Sequence, residues 1–245
     1  MKSQMLKAAK VADRLGEQRV THLHGATFKD SSTVIVTPTR GMIHRKVVQS
    51  WMGMIAPMNQ KRHWMIVEGH EVGKAYDAAI EAILAHPDLS KWKYVMTVED
   101  DNVQPPDAQI RLLESIDQFG FDAVSGIYFT KGDINMPMAY GDPEKYRTTG
   151  VLDFAPRNIA QALQQGNVMS VNGIGMGCAL WRMDMFKKLP KPWFVTLSDY
   201  IDGKGVAMMT QDLFFAERAV KAGKRFGVDM RVRVGHIDTA TGTVY

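Results

Sequence analysis

The chain has 245 residues, 45% of them hydrophobic, with 30 lysines and arginines against 26 aspartates and glutamates, a net charge of +4. That composition excludes a disordered or fibrous protein and supports one sizeable core. Its apolar runs fall short of the ~18 residues of a membrane span, and the N-terminus lacks the apolar stretch of a signal peptide, so a cytoplasmic protein is expected. The mild basic excess suits phosphate-bearing ligands without by itself indicating nucleic acid. A single cysteine, Cys178, without the neighbours of a zinc site, fits a reducing compartment.

In chain order, residues 1–32 read as a basic N-terminal extension. From residue 33 apolar runs alternate with helical periodicity. A strand over 33–38 precedes a helix with Ile43, Val47, Trp51 and Ile55 on one face. A second strand over 63–67 leads to a helix carrying Tyr76, Ala79, Ile80 and Ile83. A third over 94–98 leads to a helix opening near Pro106, and a strand over 123–128 follows. Serial β-α units imply an α/β domain with a mostly parallel sheet flanked by helices, whose ligands gather at the carboxyl ends of the strands.

Residues 130–166 show frequent Gly, Pro, Asp and Tyr and no sustained period, and are expected to be an excursion carrying part of a binding site. Order returns with a strand near Met169, a glycine cluster over 173–177, a strand starting at Cys178 and a short helix ending near Leu189. A helix from Gln211 to Ala222, closed by Gly223, precedes a last strand that puts Arg231 and Arg233 on one basic face.

The chemistry concentrates where the third strand runs into Glu99, Asp100 and Asp101 and then a Pro-Pro turn. If strand geometry persists, Glu99 and Asp101 share one side and Asp100 takes the other, assigned to the nucleotide. Crowded carboxylates repel, and hard oxygen ligands at a strand end suit Mn²⁺ or Mg²⁺; a solvated acidic turn is the alternative. Thr37, Pro38, Thr39 and Arg40 follow the first strand and open the first helix, where backbone amides and a guanidinium meet a nucleotide. Glu68, ending the second strand, can accept hydrogen bonds from a base or ribose. Gly175 and Gly177 are expected to keep the backbone close to a donor sugar or acceptor. Trp181 reads as core; Trp193, beside Pro192, is open between core and a sugar-stacking surface.

The acid-bearing strand and its Pro-rich turn resemble the Asp-X-Asp signature of the GT-A glycosyltransferases, specifically their family-2-like branch. Three further segments are similar to that family in the expected order. They are the glycine cluster through Phe194, the stretch from Thr210 to Gly223, and Val234–Gly235–His236. The resemblance implies a GT-A (Rossmann-like) fold in a single domain over 33–245. Its nucleotide-sugar half would be 33–128, and 129–245 would carry an inserted acceptor-side region and the catalytic segment. It also implies Glu99, Asp101 and His236 as metal ligands and Asp212 as the catalytic acid acting as base. Local sequence fits a helix-start Asp212 capped by Thr210 equally well. Departures are AlaTyrAsp at 75–77 where the family often has Ala-Arg-Asn, with Lys74 as a replacement charge, and Gln211 in place of a second acid.

The implied activity is metal-dependent transfer of a sugar from a nucleotide diphosphate to an acceptor hydroxyl, with inversion. A UDP-sugar is favoured as donor, with a GDP-sugar as the other option. The acceptor could be a glycan, a small molecule, a protein or a hydroxylated DNA base. One competing class is a sugar-nucleotide nucleotidyltransferase, which predicts a Gly-rich loop with a basic residue after the first strand; Arg40 to Arg45 match it in part. The other is a non-catalytic nucleotide-sugar or glycan binding module, against which Asp101, Asp212 and His236 argue.

Overall fold

The computed structural model describes residues 30–201 and 205–245, so most of the basic extension expected over 1–32 lies outside the described residues. In chain order the elements begin with strand β1 (Thr33–Thr39), helix α1 (Arg45–Met52), strand β2 (Arg62–Glu68), helix α2 (Val72–Ala85) and strand β3 (Tyr94–Val98). There follow strand β4 (Asn102–Val103), helix α3 (Ala108–Gln118), strands β5 (Ala123–Ile127) and β6 (Ala139–Tyr140), and helices α4 (Pro143–Thr149) and α5 (Ile159–Gln165). Strands β7 (Val168–Val171), β8 (Gly173–Ile174) and β9 (Cys178–Arg182) lead to helix α6 (Met183–Lys188) and strands β10 (Leu197–Ile201) and β11 (Gly205–Met209). Helix α7 (Gln211–Lys221) and strands β12 (Phe226–Arg233) and β13 (Gly235–His236) complete the order.

Seven strands form the central sheet in the order β2-β1-β3-β9-β5-β12-β7. Strands β1, β2 and β3 are parallel to one another, as β5 is to β12, whereas β9 runs antiparallel between β3 and β5 and β7 antiparallel beside β12. The sheet is therefore mixed rather than nearly all parallel. The reason lies in the glycine segment: Cys178 pairs with Val98 and Arg182 with Tyr94, so β9 starts at the carboxyl end of β3 and must run back along it. That return brings residues 173–177 to the end of the sheet where the acid triplet emerges. The two sequence halves join in one sheet, since β3 and β5 both pair with β9.

Every residue of β1, β3 and β5 is buried, as expected of central strands covered on both faces, while the edge strand β2 is largely exposed. Alternation along β1 sends Val34 and Val36 to one apolar cluster and Ile35 to the other. The first cluster takes Tyr76, Ile80 and Ile83 from α2 and Phe215 from α7; the second takes Val47 and Trp51 from α1 and Leu112 and Ile116 from α3. In α1 only Val47 and Trp51 are buried, and the expected continuation of that face ends in an exposed Ile55, because the helix stops at Met52.

Trp181 sits at the centre of the first cluster, ringed by Phe186, Phe194, Phe215 and Phe226 at centroid distances of 5.6–6.4 Å, and its indole donates to Thr97 Oγ1 at 3.0 Å. Trp193 is also core: it is buried, packs edge-on against Phe186 and donates to the Leu189 carbonyl. Trp181→Ala removes one of the two buried tryptophans of this cluster and takes from the Thr97 hydroxyl its indole donor. A loss of about 3–5 kcal/mol is expected, read as a Tm lowered on the order of 10 °C. A melt within 2 °C of wild type, an approximate bound for a surface-like change, would contradict that packing.

Two further expectations change. The stretch 130–166 is not structureless, since it contains β6, α4 and α5, with Asp142 and Asn158 capping the two helices through their side chains. Arg231 does not join Arg233 on a free basic face: its guanidinium is spent on the fully buried Asp229 (2.7 and 2.9 Å) and on Ser115 Oγ (3.1 Å). An irregularity in the β5–β12 pairing between Asp229 and Arg233 breaks the simple alternation there.

Candidate active site

The site begins where β3 ends. The chain leaves the buried strand after Val98 and turns at once, with the Asn102 amide donating to the Glu99 carbonyl at 3.2 Å. Strand alternation therefore does not carry through the three acids. Beyond the turn, β4 pairs with β13, setting Asn102 opposite His236, and the Ile237 amide donates to the Asp101 carbonyl at 2.8 Å. The terminal histidine, 135 positions from Asp101 in sequence, thus comes to lie against it.

His236 Nε2 stands 3.4 Å from Asp101 Oδ2, and Nδ1 stands 2.8 Å from the Phe129 carbonyl. A carbonyl only accepts, so Nδ1 carries the proton; Nε2 donates to the carboxylate when the ring is protonated and turns a lone pair toward it when the ring is neutral. In the neutral form the two face each other as electron-donating groups, an arrangement that a cation can join. Lys131, on the loop after β5, donates to the same Asp101 Oδ2 at 2.5 Å. Burial alone would raise the Asp101 carboxyl, but hydrogen bonds from His236 in its protonated form and from Lys131, together with their charges, hold it below the usual carboxylate range.

Glu99 turns the other way, accepting from the Tyr76 hydroxyl of α2 at 3.3 Å. Burial first, then the charges of Asp101 and Asp212, push its carboxyl up to about 8 against that hydrogen bond. The folded protein therefore binds a proton on Glu99 that the unfolded chain releases above the ordinary carboxylate range, near 4.5. Stability should accordingly fall as pH rises from about 5 to about 8 in metal-free solution. Thermal melts of wild type and Glu99→Gln over that range test this: the variant, unable to ionise, should lose that part of the slope. Parallel pH profiles would refute the assignment.

Asp212 lies in the first turn of α7 and is buried, its Oδ1 accepting from the Leu213 amide at 2.9 Å. The side chain of Thr210 caps no amide of the helix, so the capping arrangement expected from sequence is absent. Burial raises the Asp212 carboxyl, offset in part by the Thr210 hydroxyl and by backbone amides. Its charge is felt at Glu99, Tyr76, Tyr128 and Tyr140, which places it in one electrostatic unit with the acid turn.

A cleft of about 500 Å³ opens over this floor. It is lined by Pro38, Thr39 and Arg40 from the end of β1, by residues 70–72 at the start of α2, by all three acids, and by Thr196 and Gln211. Its size falls in the range of small-molecule sites. Arg40 is exposed and makes no ion pair among the described residues. Glu71 caps α2 by accepting from the Lys74 amide and receives the Thr196 hydroxyl at 2.9 Å, which ties the far side of the cleft to α2.

Not every expected residue lines this cleft, and Asp212 and His236 are among those that do not. Thr37 is buried within the sheet and accepts from the Trp64 indole at 3.0 Å. Glu68 lies exposed across Gly41, where a Cβ would meet its carboxylate at 2.7 Å. Lys74 is exposed on α2 and does not line the cleft. Gly175 and Gly177 are buried. A Cβ would meet the Tyr128 hydroxyl at 2.2 Å and the Asn102 amide at 2.3 Å respectively, so their close approach is to protein rather than to a ligand. The departure at 75–77 has a local explanation, since Tyr76 touches Glu99 and Asp77 accepts from the Trp193 and Phe194 amides.

Sequence reasoning missed Lys131, His70, Glu71 and Thr196. For Lys131 a signal existed: a charged residue just past the carboxyl end of a strand in an α/β sheet sits where ligands bind.

Of the three expected metal ligands, the structure brings two together. Among the described residues no three His, Cys, Asp or Glu side chains form a metal-binding group. The pair that does meet fits a divalent ion: two ligands each ~2.1 Å from one ion and roughly 100° apart lie ~3.2 Å from each other, close to the observed separation of Oδ2 and Nε2.

The fold and cleft define an α/β domain built on a mixed seven-stranded sheet, with an acid-bearing crevice at the carboxyl end of its central strands. No protein-family model and no curated protein matches the sequence. Among solved structures the chain is similar to A197 from STIV, at a TM-score of 0.56 and 14% identity, over 87% of this chain and 92% of that one. This likeness extends to the fold. No helix among the described residues is long and apolar enough to cross a membrane.

Proposed function

We propose that this chain is a metal-dependent glycosyltransferase of the GT-A type, moving a sugar from a nucleotide diphosphate to an acceptor hydroxyl. The observation that carries the reading is the Asp101–His236 pair beyond the end of β3, whose Asp101 lines a cleft that also presents the exposed Arg40. Mn²⁺ or Mg²⁺ bound by Asp101 and His236 would neutralise charge on a diphosphate leaving group. Arg40, at the turn after β1, supports the same phosphates as a bidentate donor. Glu99 joins the carboxylate set from the Tyr76 side.

Asp212 is the base of this reading. It is a buried carboxylate whose affinity for a proton burial has increased, as a group poised to take a proton from a hydroxyl requires. The helix start beneath it favours the ionised form needed to begin the step. A UDP-sugar is the favoured donor and a GDP-sugar the other option. Glycans, small molecules, proteins and hydroxylated DNA bases stand as acceptor classes, and the last draws no support from Arg231, which is internally paired.

A thermal-shift screen of nucleotide sugars with and without Mn²⁺ tests the proposal. A donor present at ~100 times its Kd stabilises the fold by about 2.7 kcal/mol, several degrees in Tm. The expected result is such a shift for one nucleotide class, larger with Mn²⁺. No shift with any nucleotide sugar under either condition would remove the reading.

A further inference from the structure

Lys131 stands at the candidate cation site without a role in the reaction just described. It lies on a tight loop after β5, closed by Thr130: the Thr130 hydroxyl donates to the Ile134 carbonyl at 2.9 Å, and the Met136 amide donates to the Thr130 hydroxyl at 3.0 Å. At 2.5 Å from Asp101 Oδ2, the ammonium contacts the very oxygen that faces His236 Nε2. Gly132, with φ of 97° and nothing within 4 Å of a Cβ, follows immediately.

The geometry points to Lys131 as an internal counter-ion of Asp101, bonded to the oxygen that a divalent ion would share with His236, so that a divalent ion enters only as the ammonium leaves. This inference rests on the cation site proposed above. A divalent ion ~2.1 Å from Oδ2 could not share that oxygen with an ammonium 2.5 Å away without direct repulsion between like charges. Competition of this kind lowers the apparent affinity of the ion by the fraction of molecules in which the lysine has left. Cation binding would then be coupled to a shift of the loop carrying Lys131, beside the strand end where a donor lies.

The test is Mn²⁺ binding to the full chain without donor, followed by the electron paramagnetic resonance signal of free Mn²⁺. Wild type is compared with Lys131→Gln and Lys131→Ala; the side chain is about one third exposed, and melts of each variant verify folding. Both variants are expected to bind Mn²⁺ at least about tenfold more tightly than wild type, and adding Asp101→Asn should abolish the gain. Binding by the variants where wild type shows none would support the inference equally. Variants that bind as weakly as wild type, or more weakly, would overturn it while leaving the cation site standing. A gain that survives Asp101→Asn would also overturn it, by placing the ion elsewhere. If neither wild type nor variant binds Mn²⁺, the cation site and the counter-ion fall together.

Discussion

Asp212→Asn is expected to lower sugar transfer by at least ~10²-fold while leaving donor affinity close to wild type. The substitution keeps shape and the hydrogen bond from the Leu213 amide, so it removes little from the fold and only the basic oxygen from the reaction. The effect belongs in the catalytic rate at saturating donor and acceptor rather than in binding. Because burial raises the Asp212 carboxyl, the wild-type rate should fall as pH drops through its titration, since the protonated acid cannot accept the acceptor's proton. The variant should lose that acid limb. Single-turnover rates across a pH series measure both effects, and a variant that transfers at near wild-type rate would leave Asp212 as a buried helix-start residue without chemical work.

Asp101→Ala should abolish the Mn²⁺-dependent part of donor binding, an effect larger than that of any other single change in the cleft. Asp101 is the one carboxylate that meets the His236 imidazole, and it is held ionised by the hydrogen bonds from His236 and Lys131. Removing it deletes the only anionic member of the pair and leaves Lys131 without its partner. Little stability should be lost, because the side chain is partly exposed and an ion pair of that kind contributes ~1 kcal/mol or less. Calorimetric titration of nucleotide sugar with and without Mn²⁺ separates the terms. Donor affinity that still rises with Mn²⁺ in the variant would show that the ion is held elsewhere. Glu99→Gln should weaken Mn²⁺-dependent binding less, as Glu99 turns toward Tyr76 rather than His236.

Local patterns in this chain reached as far as element type and the ends of central strands. Apolar runs of five to seven residues followed by a 3.6-residue period located β1, β2, β3 and β5 and their helices; β1, β3 and β5 are rich in apolar residues because both of their faces are buried. The short helices α4 and α5 escaped that reasoning, since neither presents a sustained apolar face and each is fixed by its cap, Asp142 or Asn158. Strand direction escaped it too. Nothing in CysAlaLeuTrp distinguishes a parallel from an antiparallel neighbour of β3; the path of the preceding glycines decides.

The same division runs through the site. Three consecutive acids after a buried strand mark the carboxyl end of a sheet, whereas Asp212 stands out from an ordinary helix-start acid only through the family resemblance. What it could not contain is the pairing of β4 with β13, which sets His236 against Asp101, or the loop that delivers Lys131 to the same oxygen. It also could not show that Thr37 and the two glycines serve contacts within the protein. Residue type and local period are properties of neighbours along the chain, whereas a ligand set is a property of groups that long-range strand pairing brings within a few ångströms. The sequence therefore determined an α/β sheet with an acid-tipped strand, and tertiary structure alone decided which side chains share that tip, because the contacts of Asp101 reach Lys131 and His236, each beyond the range of a local pattern.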